Sequence, residues 1–213
     1  MGSRAGFSLI ELSVAVVLLS VVGGLFFMTT ESTSSAVRTG VAVAELDSLT
    51  LRALDQVCDT LKTSSSDQST PQSVAPFSGT QVDFQRGLGA DANGNVVWGA
   101  VERFVLEYDE ADNGVDDDGD GLVDEGRVEW IESPGTAAER RTVVCEGVRE
   151  YLDGETFDGD DENQNGLIDE RGFALDFDGN RVTVRLTLVA RDRAGHPLSS
   201  TAQRSIAFRN QGD

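Results

Sequence analysis

The apolar run from Phe7 to Met28, broken by the single charge of Glu11, constrains this chain more than any other feature. As a helix at about 1.5 Å per residue it would be roughly 33 Å long, enough to cross the hydrocarbon core of a bilayer. A short polar leader containing Arg4 precedes it and ends at Gly6. A carboxylate inside such a segment costs on the order of 2.5–3.5 kcal/mol on insertion scales, so it is expected to have a function and a partner.

Gly6-Phe7 with Glu11 close behind, in Gly6-Phe7-Ser8-Leu9-Ile10-Glu11-Leu12, resembles the processing and assembly signature of type IV pilins and type II secretion pseudopilins. The resemblance implies that a prepilin peptidase cuts after Gly6 and that Phe7 becomes an N-methylated terminus. It implies that Glu11 pairs with the terminal amine of a neighbouring pilin or pseudopilin subunit. It also implies a single-pass protein of the inner membrane, with the C-terminal domain outside the cytoplasm and a filament or pseudopilus as its destination. Two other readings compete. One is a secretory signal peptide cut after Ala36 in Ser34-Ser35-Ala36, but its apolar region is longer than usual and carries a carboxylate. The other is a plain anchor with Arg4 on the cytoplasmic side, which leaves Glu11 without a role.

The formal net charge of −20 is not spread over the surface. Nine acids and no base fall in 109–125, and eight acids and no base in 153–170, so that the remaining 20 acids face 17 bases. Acidity this local points to two cation sites rather than to an acidic tail. No basic stripe is visible, which disfavours nucleic acid as a partner. The two cysteines, Cys58 and Cys145, are consistent with a disulfide outside the cytoplasm or with two separate buried thiols.

Beyond Met28 the small polar stretch 29–35 contains no proline, so a helix can pass through it. From there Val43, Leu46, Leu49, Ala53, Leu54, Val57 and Leu61 recur at helical spacing. Gly23, Gly24 and Gly40 are candidate bends. Residues 63–76 read as a loop. Strands are expected at 81–85, 96–108, 128–131, 142–145, 173–177, 182–189 and 199–208. Asp178-Gly179-Asn180 is a hairpin signal, and Val182, Val184, Leu186 and Leu188 alternate with Thr183, Arg185 and Thr187, one face buried and one wet. The expected fold is α+β, a long N-terminal helix packed on an antiparallel β-sheet domain. Its divisions are a leader at 1–6, a transmembrane and assembly helix at 7–28, an amphipathic continuation at 29–62, and a β-rich domain at 63–213 with acidic loops near 112–126 and 158–171.

The two acidic stretches are copies of one site. Asp116, Asp118, Asp120, Gly121, Leu122, Val123, Asp124 and Glu125 align with Asp161, Asn163, Asn165, Gly166, Leu167, Ile168, Asp169 and Glu170 at an offset of 45 residues. Side chains at loop positions one, three and five converge on a Ca²⁺ ion, glycine at six permits the turn, and the carbonyl of residue seven adds a ligand. That makes Asp116, Asp118, Asp120 and Leu122 the candidate ligands of the first loop, with Asp124 or Glu125 closing the shell. Asp161, Asn163, Asn165 and Leu167, with Asp169 or Glu170, are those of the second, which is weaker because it carries less charge. Position twelve departs from the EF-hand: Arg127 and Gly172 stand where a bidentate Glu belongs. The loops therefore resemble the short calcium loops of thrombospondin type 3 and dockerin repeats, flanked by strand or coil, with Val123 and Ile168 expected to anchor them.

No nucleophile motif or phosphate-cradling loop points to an enzyme. His196 precedes Pro197 in a turn, and Trp98 and Trp130 sit in strand-like runs. The C-terminal half loosely resembles J-type pseudopilins and PilW-like minor pilins, which implies a minor pilin or minor pseudopilin. A membrane-anchored or secreted calcium-dependent adhesin is the alternative.

Overall fold

The computed structural model describes residues 8–71, 77–111 and 113–209. Helix α1 spans Leu9–Leu61, its portion up to Ala42 forming one unit and the chain from Val43 onward a second. In the first unit the helix is long and apolar enough to cross a membrane. The helix runs through the polar stretch, whose hydroxyls find acceptors on the preceding turn: Thr29 and Thr30 donate to Phe26 O, and Thr33 to Thr29 O. The helix assignment continues through Gly23, Gly24 and Gly40.

In the second unit α1 buries Leu46, Thr50, Ala53, Leu54, Val57, Cys58 and Leu61. This corrects the expected stripe, since Val43 and Leu49 are exposed while Thr50 and Cys58 are fully covered. At about 100° per residue from Leu46, the buried residues fill an arc of roughly 140° centred near Thr50 and Leu61, and Leu49 falls outside it. Thr50 tolerates burial because its hydroxyl donates to Leu46 O at 2.9 Å.

The sheet comprises β1 (Ser69–Pro71), β2 (Gln81–Ala90), β3 (Val96–Tyr108), β4 (Gly126–Glu132), β5 (Arg140–Val148), β6 (Phe173–Asp178), β7 (Arg181–Arg191) and β8 (Pro197–Ala207). All pairings are antiparallel. Strand β1 lies in the stretch expected to be a loop; it is a three-residue edge strand, the place where Pro71 needs no ladder N–H. Strands β1 to β5 form one meander and β6 to β8 another. Strand β7 joins them: β8 occupies one of its edges, while β6 and then Val148 of β5 share the other. Asp178 pairs with Arg181 across the expected hairpin turn.

The core lies between the upper part of α1 and the sheet, where Phe84, Phe104, Val128, Phe173, Val184 and Leu186 are all buried. Phe84 stacks on Phe104 with ring centroids 5.3 Å apart, and burying either ring is worth about 1.5–3 kcal/mol. Trp130 packs on Phe104 and donates Nε1 to the buried Glu102 at 2.8 Å, and Arg86 Nε neutralises that carboxylate from 2.6 Å. Cys58 and Cys145, the pair read as able to bridge, are free thiols in this structure. Burial pushes Cys58 up to about 11 and Cys145 up to about 12, which keeps both protonated and unreactive.

The outer face of β7 also differs from expectation. Val182, Val184, Leu186 and Leu188 are buried as the alternation requires, yet Thr187 on the face expected to be wet is fully buried too. The segment between β5 and β6 covers it: Arg149 N donates to Thr187 O, Thr187 N to Gly172 O, and Asp153 N to Thr187 Oγ1. Gly172 permits this close crossing, because any Cβ there would strike the backbone of Arg149.

Candidate functional site

The loop between β3 and β4 and the loop between β5 and β6 spring from neighbouring strands. Tyr108 pairs with Gly126, and Gly126 with Val148. Strands flank both loops, as expected from the absence of a position-twelve Glu.

The first loop has few apolar residues to bury, and it folds instead around its own carboxylates. Asp116 accepts from Gly119 N at 2.6 Å and, through its other oxygen, from Gly121 N at 2.8 Å. Asp118 accepts from Asp120 N and Asp120 from Leu122 N, each a short Asx turn. One oxygen from each of Asp116, Asp118 and Asp120 lies within 4.8 Å of the others. Glu110, Asp118 and Glu125 meet the same condition. Asp124, also read as a ligand, receives Asn113 N and Gly114 N and so closes the base of the loop. Gly121 adopts φ +90° and Gly166 φ +91°, the conformation that position six demands.

Glu110 was not found from the sequence. Its Oε1 accepts from the amides of Asp117 and Asp118, both at 2.8 Å, and its Oε2 from Asp124 N at 3.1 Å. The signal existed: the 45-residue repeat extends upstream, so that Glu110 aligns with Glu155, Asn113 with Asp158 and Gly114 with Gly159.

Glu125 is the electrostatic anomaly. It is 5% exposed and its Oε2 has no hydrogen-bond partner. Burial first, then the charges of Asp120, Glu110 and Asp118, hold its carboxyl above the ordinary value. An unpaired buried carboxylate beside three other acids is relieved by taking up a proton or by a nearby cation. The donor set is oxygen alone, with several carboxylates converging, which suits Ca²⁺ better than Mg²⁺ or Zn²⁺.

The second loop repeats this architecture. Asp161 accepts from Asn165 N and Gly166 N, Asn163 from Asn165 N, and Asn165 from Leu167 N. Asp169 receives Asp158 N and Gly159 N, as Asp124 does in the first loop, and the two aspartates share a left-handed backbone at φ 50° and 53°. Glu155 is 2% exposed, accepts from Asn163 N and leaves Oε2 without a partner. Burial above all pushes its carboxyl up. The anchoring residue differs from expectation: Leu167 is buried, whereas Val123 is exposed and Ile168 only half-buried.

At the other end of the chain Ser8 and Glu11 form a reciprocal cap on α1. Ile10 N donates to Ser8 Oγ at 3.2 Å, and Ser8 N to Glu11 Oε2 at 3.1 Å. Glu11 therefore sits on the outermost turn, its carboxylate directed at the helix N-terminus. Gly6 and Phe7 lie outside the described residues. His196 lies in an exposed turn, bonded through Nδ1 to Asp192 at 3.1 Å.

A family model described as the prokaryotic N-terminal methylation motif matches residues 1–27. That match marks a prepilin-type N-terminus of the kind found in type IV pilins and pseudopilins. No curated protein and no solved structure gives a match to this chain.

Proposed function

We propose, from a chain whose first 27 residues are a prepilin-type N-terminus, that the protein is a minor subunit of a type IV pilus or type II secretion pseudopilus. Its globular domain is stabilised by calcium, and its role is assembly rather than catalysis. The observation that carries the assembly role is the isolated Glu11 in the otherwise apolar first part of α1, up to Met28, held at the end where processing after Gly6 would leave a new amine. Prepilin peptidase would supply that terminus at Phe7. A neighbouring subunit's amine then offers Glu11 a charge partner in place of its own Ser8 amide, which offsets the cost of a carboxylate in lipid. The minor role rests on a β-domain with two dedicated loops, more than a simple filament-forming subunit needs.

The calcium role rests on Glu125. A divalent ion among Asp116, Asp118, Asp120 and Glu125 would pair the orphaned oxygen and remove the repulsion around it, with Glu110 holding the loop amides in place. Asp161, Asn163, Asn165 and Glu170 would hold an ion in the second loop, where Oε2 of Glu155 is the buried oxygen left without a partner.

N-terminal sequencing of the mature protein and one substitution test the assembly role. Phe7 is the expected first residue; Val37 or Met1 would overturn it. Glu11→Ala is expected to insert into the membrane normally yet fail to enter filaments, and normal incorporation of that variant would refute the role given to Glu11.

A further inference from the structure

The two loops share a backbone, and each lies beside an arginine of β7: Arg191 packs on Gly121 of the first, whereas Arg185 faces the carboxylate of Glu170 in the second. In the first, Glu125 is followed by Gly126, and its electrostatic neighbours are acids. In the second, the equivalent Glu170 is fully buried and divides its oxygens. Its Oε2 accepts from Nδ2 of Asn163 and Asn165, at 3.0 and 2.6 Å, inside the loop. Its Oε1 faces Arg185 Nη1 at 3.1 Å. Arg185 comes from β7, outside the loop, and its side chain is only 12% exposed. Neither Arg185 Nη1 nor Glu170 Oε1 has a hydrogen-bond partner, so the pair is held by charge alone. Glu155 still leaves a buried oxygen unpartnered beside the same loop, which its neighbouring acids and Arg185 do not satisfy.

We propose that Arg185 lowers the affinity of the second loop for a divalent cation, orienting Glu170 toward the loop interior while repelling the ion, and that this, together with Asn163 and Asn165 in place of Asp118 and Asp120, makes the first loop fill before the second. The inference rests on the calcium reading above. A unit charge about 5–6 Å from a divalent ion weakens binding about tenfold even with water-like screening, and by more in a covered site. Asn163 and Asn165 act in the same direction by removing two charges relative to Asp118 and Asp120. Arg185 is separable from them because it lies on a strand and not in the loop. It is a positioning and affinity-setting residue, not a ligand.

Calcium titration of the full-length protein in detergent micelles, followed by calorimetry, tests this. The wild type is expected to bind in two steps. Asp116→Asn should remove the tight step and Asp161→Asn the weak one. Arg185→Met should strengthen the weak step at least about tenfold, and Arg185→Lys should leave it unchanged. Loss of the tight step in Asp161→Asn, or an unaltered weak step in Arg185→Met, overturns the proposal. The two aspartate variants lie in surface loops and keep the order of filling testable even if Arg185→Met does not fold. Absence of any calcium uptake would defeat the calcium reading itself, a result distinct from two steps in the wrong order.

Discussion

Replacing Glu125 by glutamine should raise the stability of the metal-free protein and abolish most of its response to calcium in the first loop. The carboxylate is 5% exposed, its Oε2 is unpartnered, and Asp118, Asp120 and Glu110 add to its strain. An unsatisfied buried polar group costs about 1–3 kcal/mol, more if charged, so removing the charge should return about 1 kcal/mol or more. For a cooperative unit the size of Val43–Asp213 that is roughly 2–4 °C in melting temperature. Calcium acts oppositely on the wild type. At 100-fold excess over Kd a single site adds about 2.7 kcal/mol, or roughly 5–10 °C, and a second filled loop about as much again. Thermal melts with calcium and with chelator, on wild type and Glu125→Gln, read both effects. A wild-type melt unchanged by calcium would refute the reasoning. So would a Glu125→Gln protein that is less stable without metal and still gains the full calcium shift.

The metal-free protein should also lose stability as pH rises. Glu125 and Glu155 have folded-state values above the ordinary 4.5, so in that window the folded chain holds more protons than the unfolded one. Its melting temperature should therefore fall as pH climbs through the raised values, and saturating calcium at neutral pH should remove the decline; a flat profile with chelator would contradict this. Asp192, held down to about 2 chiefly by the amide of His196, works in the other sense but only below its ordinary 3.8. Gly172→Ala places a Cβ against the Arg149 backbone and should abolish cooperative melting, whereas Gly40→Ala, with open space around it, should be neutral or stabilising by up to about 1 kcal/mol. Phe104→Ala removes a fully buried ring stacked on Phe84 and should cost about 3–5 kcal/mol in chemical denaturation.

Local pattern was legible wherever one backbone period decides the outcome. The helix through 29–35, the strand pairs around Asp178-Gly179-Asn180 and the alternation of Val182 to Leu188 all follow from spacings of 3.6 or 2 residues. The acidic repeat was legible for the same reason, since Asx turns and a position-six glycine are bonds between residues at most five apart. The rest depends on which surface a distant segment covers. Thr187 is buried because the loop before β6 crosses it, and Thr50 rather than Leu49 faces the core because the sheet fixes the rotation of α1.

The sequence by itself determined the prepilin-type apolar segment with its single carboxylate and two repeated acidic loops between strands. Only the tertiary structure decided that Glu110 reaches across its loop to amides seven to fourteen residues away. It alone decided that Glu125 is sealed with one oxygen unpartnered and that Arg185 meets Glu170 from another strand. The physical reason is that hydrogen bonds between near neighbours are set by backbone geometry, whereas burial and charge pairing between distant residues are set by how the two β-meanders close on β7.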